Sequence, residues 1–299
     1  MGVAAVAMPR LFAGESMNES QSLKPNRMIK ARYSEELPDG LVKCLLCPHG
    51  CTLKNGQSGI CRTRINEDGI LYTKAYGNPI AVHLDPIEKK PLFHFLPSAK
   101  VLSFGTAGCN FRCLNCQNAD ISQVAPDDIS VLDYSPEKLV KAAREHNSDG
   151  IAFTYTEPTV FFEYMYDTAA LAQKAGLKTM MISNGYINQE PLKELIKVMD
   201  AFNIDLKSFS DSTYKTLCSG RLNPVLETIK TIRDSGKWIE ITNLMVTGYT
   251  DKADEFSEMI AWLTENNFSE VPLHISRSFP AYKLIDSQPT SLSAIEKGY

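Results

Sequence analysis

The cysteines of this chain are concentrated in two short segments. Of eight cysteines in 299 residues, four lie within 44–61, three lie within 109–116, and Cys218 stands alone. Eight cysteines are too few for a disulfide scaffold in a chain of this length, and tight thiol groups in a reducing compartment are typical of metal binding. The sequence therefore predicts two metal centres, and the fold must bring each set of thiols together.

The composition is that of an ordinary globular protein. It is 43% apolar with a net charge of −4, which excludes collagen-like, mucin-like and wholly disordered chains. Charges are interspersed without a basic stripe, so neither a nucleic acid nor a membrane is predicted as a partner. The apolar run near the N-terminus has no preceding charge and is followed by Arg10, which argues against a signal peptide. A cytoplasmic location is predicted.

Three parts follow one another along the chain. Residues 1–40 are polar and lack a sustained period, which predicts a loosely ordered N-terminal segment. Residues 41–97 form a four-cysteine module with too few apolar residues for a large core, so metal is expected to hold it together. Residues 98–299 are predicted to form the core domain.

Short apolar runs alternate with amphipathic segments throughout the core domain. The predicted strands are 101–105, 150–155, 178–183, 202–207, 238–246 and 272–276. The predicted helices are one that starts with Ser135 and Pro136 and four more at 158–174, 190–199, 223–234 and 252–266. Strands separated by whole helices imply parallel pairing with right-handed crossovers.

The predicted fold class is α/β, a partial (β/α)6 TIM-like barrel preceded by the cysteine-rich module. There is no Rossmann glycine triplet and no Walker loop. Polar residues fall at the ends of the predicted strands, where a barrel would gather them at its C-terminal mouth and an open sheet would spread them along a crevice. These residues are Cys109, Glu157, Asn184, Lys207, His274 and Arg277.

The second cysteine group has the spacing C-x3-C-x2-C. Cys109, Cys113 and Cys116 can hold three irons of a cubane [4Fe-4S] cluster, and no fourth cysteine follows as it would in a ferredoxin. One iron would then lack a protein ligand, which is typical of catalytic metal sites. The alternative is structural zinc with three cysteines and a histidine, but no histidine lies between Cys116 and His146.

The first group supplies four thiolates. Cys44, Cys47, Cys51 and Cys61 suit either tetrahedral zinc or a closed [4Fe-4S] cluster, and the sequence leaves both open. A structural metal is favoured over a redox role because the module has little else to order it. Cys218 is predicted to be a half-buried thiol without a catalytic role.

The loop of Cys109 and the segments around it resemble the radical S-adenosylmethionine (SAM) superfamily. The matching segments are DPIEKKPLFHFLP at 85–97, CQNADISQ at 116–123, TYTEPTVFFEY at 154–164, SNGY at 183–186, DLKSF at 205–209 and HISRSFPAYK at 274–283. Together they resemble the AmmeMemoRadiSam-system branch of the pyruvate formate-lyase-activating-enzyme-like group, over roughly residues 41–290.

The resemblance implies an activity. SAM would bind the open iron of the [4Fe-4S] cluster, and its reductive cleavage would give a 5′-deoxyadenosyl radical that abstracts hydrogen from a substrate. The implied partners are a flavodoxin- or ferredoxin-like electron donor and a substrate that is either a protein, with a glycyl residue as the target, or a small molecule. The competing interpretation is a non-catalytic iron–sulfur electron-relay protein, which would gain nothing from a vacant iron.

The resemblance also assigns residues to SAM. TYTEP lies where the superfamily has Gly-Gly-Glu-Pro, and SNGY, DLK and the last strand match segments that face SAM or the substrate. The residues so assigned are Thr154, Thr156, Glu157, Asn184, Asp205, Lys207, His274 and Arg277. Asp205 and Lys207 are also the catalytic candidates. Asn115 replaces an aromatic residue found in many relatives, so adenine packing is expected from Phe111 or Tyr155. The charged run 83–94 is predicted to be a solvated connector.

Overall fold

The computed structural model describes residues 28–296 and 298, and its N-terminal part holds two small antiparallel sheets. Their strands are β1 Ile29–Lys30, β2 Ser34–Glu36, β3 Val42–Cys44, β4 Thr52–Leu53, β5 Arg64–Glu67 and β6 Ile70–Thr73. The sheet orders are β1-β6-β5 and β2-β3-β4. Asp68 and Gly69 both have positive φ between β5 and β6, as a two-residue type I′ hairpin requires.

Part of the predicted loosely ordered segment is described and part is not. Residues 1–27 lie outside the described residues. Residues 28–40 contribute β1, which pairs with β6, and β2, which pairs with β3. The ordered structure of the cysteine module therefore begins before residue 41.

A seven-stranded sheet forms the rest of the framework. Its strands are β7 Ala81–Pro86, β8 Lys100–Gly105, β9 Gly150–Phe153, β10 Lys178–Ser183, β11 Ala201–Asp205, β12 Trp238–Met245 and β13 Leu273–Arg277. They lie in chain order, with parallel pairing from β8 to β13 and antiparallel pairing between β7 and β8. The six predicted strands are confirmed, and β7 is an additional strand that the sequence analysis missed.

Helices connect the parallel strands. Within the described residues they are α1 Ala119–Ser122, α2 Pro136–Glu145, α3 Phe162–Lys174, α4 Gln189–Val198, α5 Asp211–Thr213, α6 Leu222–Asp234, α7 Ala253–Glu265 and α8 Leu292–Glu296. A π-helix spans Tyr214–Cys218, and 3-10 turns span Pro38–Gly40, Ile87–Lys89, Pro126–Asp128, Pro158–Phe161 and Tyr282–Leu284. As predicted, Ser135 caps α2 by accepting from Lys138 N, with Pro136 in the first helical position.

Burial explains why the sheet forms. All four residues of β9 are buried, and β8, β10 and β11 are nearly so, as expected for parallel strands covered on both faces. The predicted helix 158–174 differs in its start, because residues 158–161 form a 3-10 turn and α3 begins at Phe162. Within the described part of the chain, no helix is long and apolar enough to cross a membrane.

Candidate active site

One cavity of about 430 Å³ lies at the carboxyl ends of the parallel strands. Its walls come from the loop after β8 and from the ends of β9, β10, β11, β12 and β13. The predicted site residues that line it are Cys109, Cys113, Cys116, Thr154, Thr156, Glu157, Asn184, Asp205, Lys207 and Arg277. Residues more than 160 positions apart in the chain therefore meet at one site, at the carboxyl ends of neighbouring parallel strands.

The three-cysteine loop is held by backbone hydrogen bonds to the π-helix. Arg112 N donates to Cys218 O at 3.0 Å, and Leu114 N donates to Leu217 O at 2.9 Å. These bonds satisfy carbonyls at the end of that helix, where no helical partner remains. The loop is thus positioned with its thiols at the cavity.

The donor set suits an iron–sulfur cluster. Three thiols border a roomy cavity, and thiolate sulfur is the ligand that such clusters use. Within residues 28–296 and 298, no group of three or more His, Cys, Asp or Glu side chains is arranged to hold a single metal ion. Cys109, Cys113 and Cys116 therefore fit three corners of a cluster better than they fit one ion.

Cys218 lies against this loop, which the sequence analysis did not anticipate. It is 1% exposed, and its thiol donates a hydrogen bond to Cys113 that lowers the pKa of Cys113. Cys218 does not line the cavity. No local pattern marks this contact, because 105 positions separate the two thiols along the chain.

Glu157 links the segment after β9 to the end of β10, at the wall of the cavity. Its Oε1 accepts from Ser183 Oγ at 2.7 Å and from Thr159 N at 2.9 Å, and its Oε2 accepts from Asn184 N at 2.8 Å. Complete burial raises the pKa of Glu157, while these hydrogen bonds oppose the rise. Asn184 in turn donates to Asn110 Oδ1 at 2.8 Å. Glu157 and Asn184 therefore fix the positions of the turn after β10 and of the cysteine loop.

Tyr155 occupies an unusual backbone conformation. Its φ is +68°, in the left-handed region that a bulky residue rarely adopts and that glycine adopts freely. Asn118 Nδ2 donates to Tyr155 O at 2.6 Å, and the Tyr155 hydroxyl donates to Asp85 Oδ2 at 2.8 Å. The chain thus reaches a glycine-like turn without the two glycines of the superfamily motif, and side-chain hydrogen bonds stabilise it.

The charged connector is not simply solvated. Lys90 is 2% exposed, its Nζ lies 2.8 Å from Asp85 Oδ2, and the same atom lies 4.4 Å from the centroid of the Tyr155 ring. Burial lowers the pKa of Lys90, and the pair with Asp85 opposes that change. Lys90 lines the cavity and is a site residue that sequence reasoning missed. The matching segment 85–97 was the available signal.

Asp205 and Lys207 form an ion pair at the end of β11. Lys207 Nζ lies 2.8 Å from Asp205 Oδ2, and both side chains are partly exposed to the cavity. Burial would lower the pKa of Lys207, but the charges of Asp205, Cys113 and Cys218 raise it well above its ordinary value. Lys207 therefore remains a cation beside the cysteine loop.

His274 does not lie in the cavity, contrary to the prediction. Its Nε2 lies 2.6 Å from Glu240 Oε2, and it precedes Arg277, which lines the cavity, by three positions on β13. The His274 ring instead packs against the rings of Phe93 and His94, with centroid distances of 5.0 and 5.9 Å. Ser276 and Arg277 are the residues of β13 that reach the site.

Glu240 anchors the connector to the sheet. Its carboxylate accepts from the backbone N–H groups of Phe93, His94 and Phe95 at 2.9–3.0 Å. Burial alone would raise the pKa of Glu240, but hydrogen bonds from His274, from Trp238 and from these N–H groups lower it from 4.5 to about 2.

The lowered pKa of Glu240 predicts acid sensitivity. Because the folded protein favours the ionised form, Glu240 stabilises the fold above pH 4.5, and this contribution is lost as pH falls toward 2. Between pH 5 and pH 2.5 we expect the free energy of unfolding to fall in both the native protein and Glu240→Gln. The fall in the native protein should be larger by about 2 kcal/mol. Urea titrations of both proteins at each pH measure this difference, and parallel pH profiles would contradict it.

Comparison with known proteins identifies the family. A family model described as the radical SAM superfamily matches residues 104–263, which is more than half of the chain. The chain belongs to the radical SAM superfamily. Membership implies SAM and a [4Fe-4S] cluster as cofactors.

Relatives and a solved structure agree with this assignment. An uncharacterized protein from Methanocaldococcus jannaschii is 46% identical over 90% of this chain and 80% of its own length. A pyruvate formate-lyase-activating enzyme from Clostridium pasteurianum is 23% identical over 51% of this chain and 64% of that enzyme. SuiB from Streptococcus suis, solved with S-adenosylmethionine, is 13% identical with a TM-score of 0.51, covering 71% of this chain and 48% of SuiB. At that identity the structural likeness shows the α/β radical SAM fold alone.

Proposed function

We propose that this radical SAM protein holds a [4Fe-4S] cluster on Cys109, Cys113 and Cys116 and cleaves SAM reductively to abstract hydrogen from a substrate. The observation that carries the proposal is the meeting of these three thiols with the polar ends of five strands around one cavity. Cys218, which could have supplied a fourth ligand, is buried behind Cys113 and does not line that cavity. In this proposal one corner of the cluster is left for SAM, at the mouth of a partial (β/α)6 barrel.

The bound cluster and SAM would supply the chemistry, a one-electron cleavage of the sulfonium that yields a 5′-deoxyadenosyl radical. The side chains of the protein position these groups. Lys207 places a positive charge beside Cys113, where thiolate charge and the SAM carboxylate would both be stabilised. Glu157 holds the turn of Asn184, and Thr154 and Thr156 border the same wall. Lys90 and Tyr155 pack against each other at the cavity wall and would limit access of water.

The proposed substrate is a protein. The clostridial relative at 23% identity is named as an activating enzyme for pyruvate formate-lyase, and others at about 20% identity are named as activating enzymes for 4-hydroxyphenylacetate decarboxylase. Both targets are themselves proteins. By analogy we propose hydrogen abstraction from a glycyl residue of a partner protein, with electrons from a flavodoxin- or ferredoxin-like donor. A small-molecule substrate is the alternative.

Product analysis tests the proposed function. The chain is reconstituted with iron and sulfide under nitrogen, reduced with dithionite and supplied with SAM, and 5′-deoxyadenosine is quantified. Formation of 5′-deoxyadenosine supports the enzyme. Its absence, when spectroscopy shows a reduced cluster, would overturn the proposal in favour of a non-catalytic electron relay.

Lys207 provides a prediction for SAM binding. We expect Lys207→Met to weaken SAM binding about tenfold, equivalent to about 1.4 kcal/mol, because the cation beside the cluster loop is lost. Equilibrium binding of SAM to the reconstituted protein measures the change. Lys215→Met is the matched control, since Lys215 is 62% exposed, pairs with Asp211 and does not line the cavity. Equal affinities of the two variants would contradict the assignment of Lys207.

A further inference from the structure

The four thiols of the N-terminal module border a second cavity. Cys44, Cys47, Cys51 and Cys61 line a closed space of about 20 Å³. Cys44 N donates to Cys51 O at 2.9 Å, and a Cβ on Gly59 would lie 3.8 Å from the sulfurs of both Cys51 and Cys61. The turns of the module therefore place the four thiols of the first cysteine group around one enclosed space.

Two buried polar groups at this cavity have no partner. Thr159 Oγ1 and Arg64 Nε are buried and have no hydrogen-bond partner among residues 28–296 and 298, and both residues line the cavity. Leaving a buried donor unpaired costs about 1–3 kcal/mol, so native proteins seldom do so. Thiolates bound to a metal carry net negative charge and would accept from both donors. The unpaired groups thus indicate an anionic metal–thiolate centre.

The spacing of the thiols favours a cluster over zinc. Tetrahedral zinc needs four sulfurs at about 2.3 Å from one point, which leaves no space between them. Here the four thiols enclose a space of about 20 Å³, and no group of His, Cys, Asp or Glu side chains among the described residues is arranged for a single ion. A [4Fe-4S] core keeps its four thiolate ligands farther apart.

The module and the SAM site share a wall. Asn110, next to the cluster ligand Cys109, lines the four-thiol cavity, and His49 Nε2 lies 2.8 Å from Asn110 O. Gly108 has a φ of +96°, and a Cβ there would lie 2.6 Å from Cys61 O. Only glycine permits this approach, so the backbones that carry the two sets of thiols are in contact.

We propose that Cys44, Cys47, Cys51 and Cys61 bind a second [4Fe-4S] cluster that passes single electrons to the cluster of the SAM site. A reduced flavodoxin- or ferredoxin-like protein would lose one electron, the second cluster would carry it, and the SAM-site cluster would receive it, with no atom or proton transferred. The binding of the second cluster is independent of the proposed function, whereas the electron transfer rests on it.

Metal analysis of a full-length variant tests the second cluster. Cys109→Ala, Cys113→Ala and Cys116→Ala are combined, and the protein is reconstituted with iron and sulfide under nitrogen. We expect about four irons per chain, against about eight in the native protein, and after dithionite an electron paramagnetic resonance signal that SAM does not change. One zinc without iron, or no metal, would overturn the proposal, whether or not the native protein cleaves SAM.

Magnetic and kinetic measurements test electron transfer. In the fully reduced native protein we expect signals broadened by interaction between two clusters, whereas a simple sum of two independent signals would overturn electron transfer between neighbouring clusters. In Cys47→Ser with Cys51→Ser, we expect the ratio of 5′-deoxyadenosine formed with reduced flavodoxin to that formed with dithionite to fall at least tenfold. The ratio corrects for partial loss of folded protein, and an unchanged ratio would overturn the relay. Failure of the proposed function would instead abolish product with both reductants in the native protein.

Discussion

Replacement of Cys113 by alanine is expected to abolish SAM cleavage. Cys113 lines the cavity from the middle of the three-cysteine loop, and loss of one of three thiolates leaves a cluster with two protein ligands. We expect 5′-deoxyadenosine formation to fall at least a thousandfold, to the background of protein-free controls, because no other group in the cavity supplies this chemistry. Iron analysis and product quantification under nitrogen measure both effects.

Cys218 offers a matched control for this experiment. It is the same residue type, buried in contact with Cys113, and its backbone anchors the same loop. Because it does not line the cavity, Cys218→Ala should retain the cluster and the greater part of the activity. If Cys218→Ala lost the cluster while Cys113→Ala kept it, the assigned ligand set would be wrong.

Replacement of Glu163 by glutamine is expected to destabilise the whole chain. Arg64 and Glu163 are 1% and 3% exposed, with Arg64 Nη2 2.6 Å from Glu163 Oε1, and they join strand β5 of the cysteine module to helix α3 of the core. Removing one partner leaves a buried charge uncompensated, which costs about 3–5 kcal/mol. Urea unfolding should show a lower midpoint, measured in the metal-loaded protein.

An exposed ion pair gives the control for Glu163. On helix α2, Lys141 Nζ lies 3.7 Å from Glu145 Oε1, and the two side chains are 75% and 59% exposed. Glu145→Gln should therefore change the free energy of unfolding by less than about 0.5 kcal/mol. Replacing both buried partners, with Arg64→Met and Glu163→Leu, should recover part of the loss, because no unpaired charge remains. A loss below about 1 kcal/mol in Glu163→Gln would contradict a structural role for this pair.

The parallel strands could be predicted because their signal is local. Runs such as 101–105 and 178–183 are apolar over a strand's length and are separated by helical periods, so their type and order follow from nearby residues. Strand β7 escaped prediction because 81–86 mixes buried and exposed positions and ends in a proline, as an edge strand can. β7 pairs with β8 only after the chain has turned back through residues 87–99, so this pairing is not visible in a short segment.

Some site residues could be predicted from the sequence and others could not, again because only local patterns are visible in it. Cys109, Cys113 and Cys116 are neighbours in one loop, so their spacing alone indicated a cluster. His274 was expected at the cavity, but it contacts Glu240 instead, because a motif does not specify which neighbours a strand side chain meets. Lys90 was overlooked because a lysine in a charged run usually lies in solvent, whereas here Asp85 and the Tyr155 ring surround it.

The amino-acid order by itself determined the α/β pattern, the two thiol groups and the resemblance to radical SAM proteins, because periodicity and spacing are properties of short segments. Tertiary structure alone decided that Glu157 accepts from Asn184, that Arg64 pairs with Glu163, and that the backbone of Gly108 meets that of Cys61. Such contacts join residues that are far apart in the chain. They form only when the sheet and its helices bury a common core, since buried polar groups must then find partners that no short segment contains.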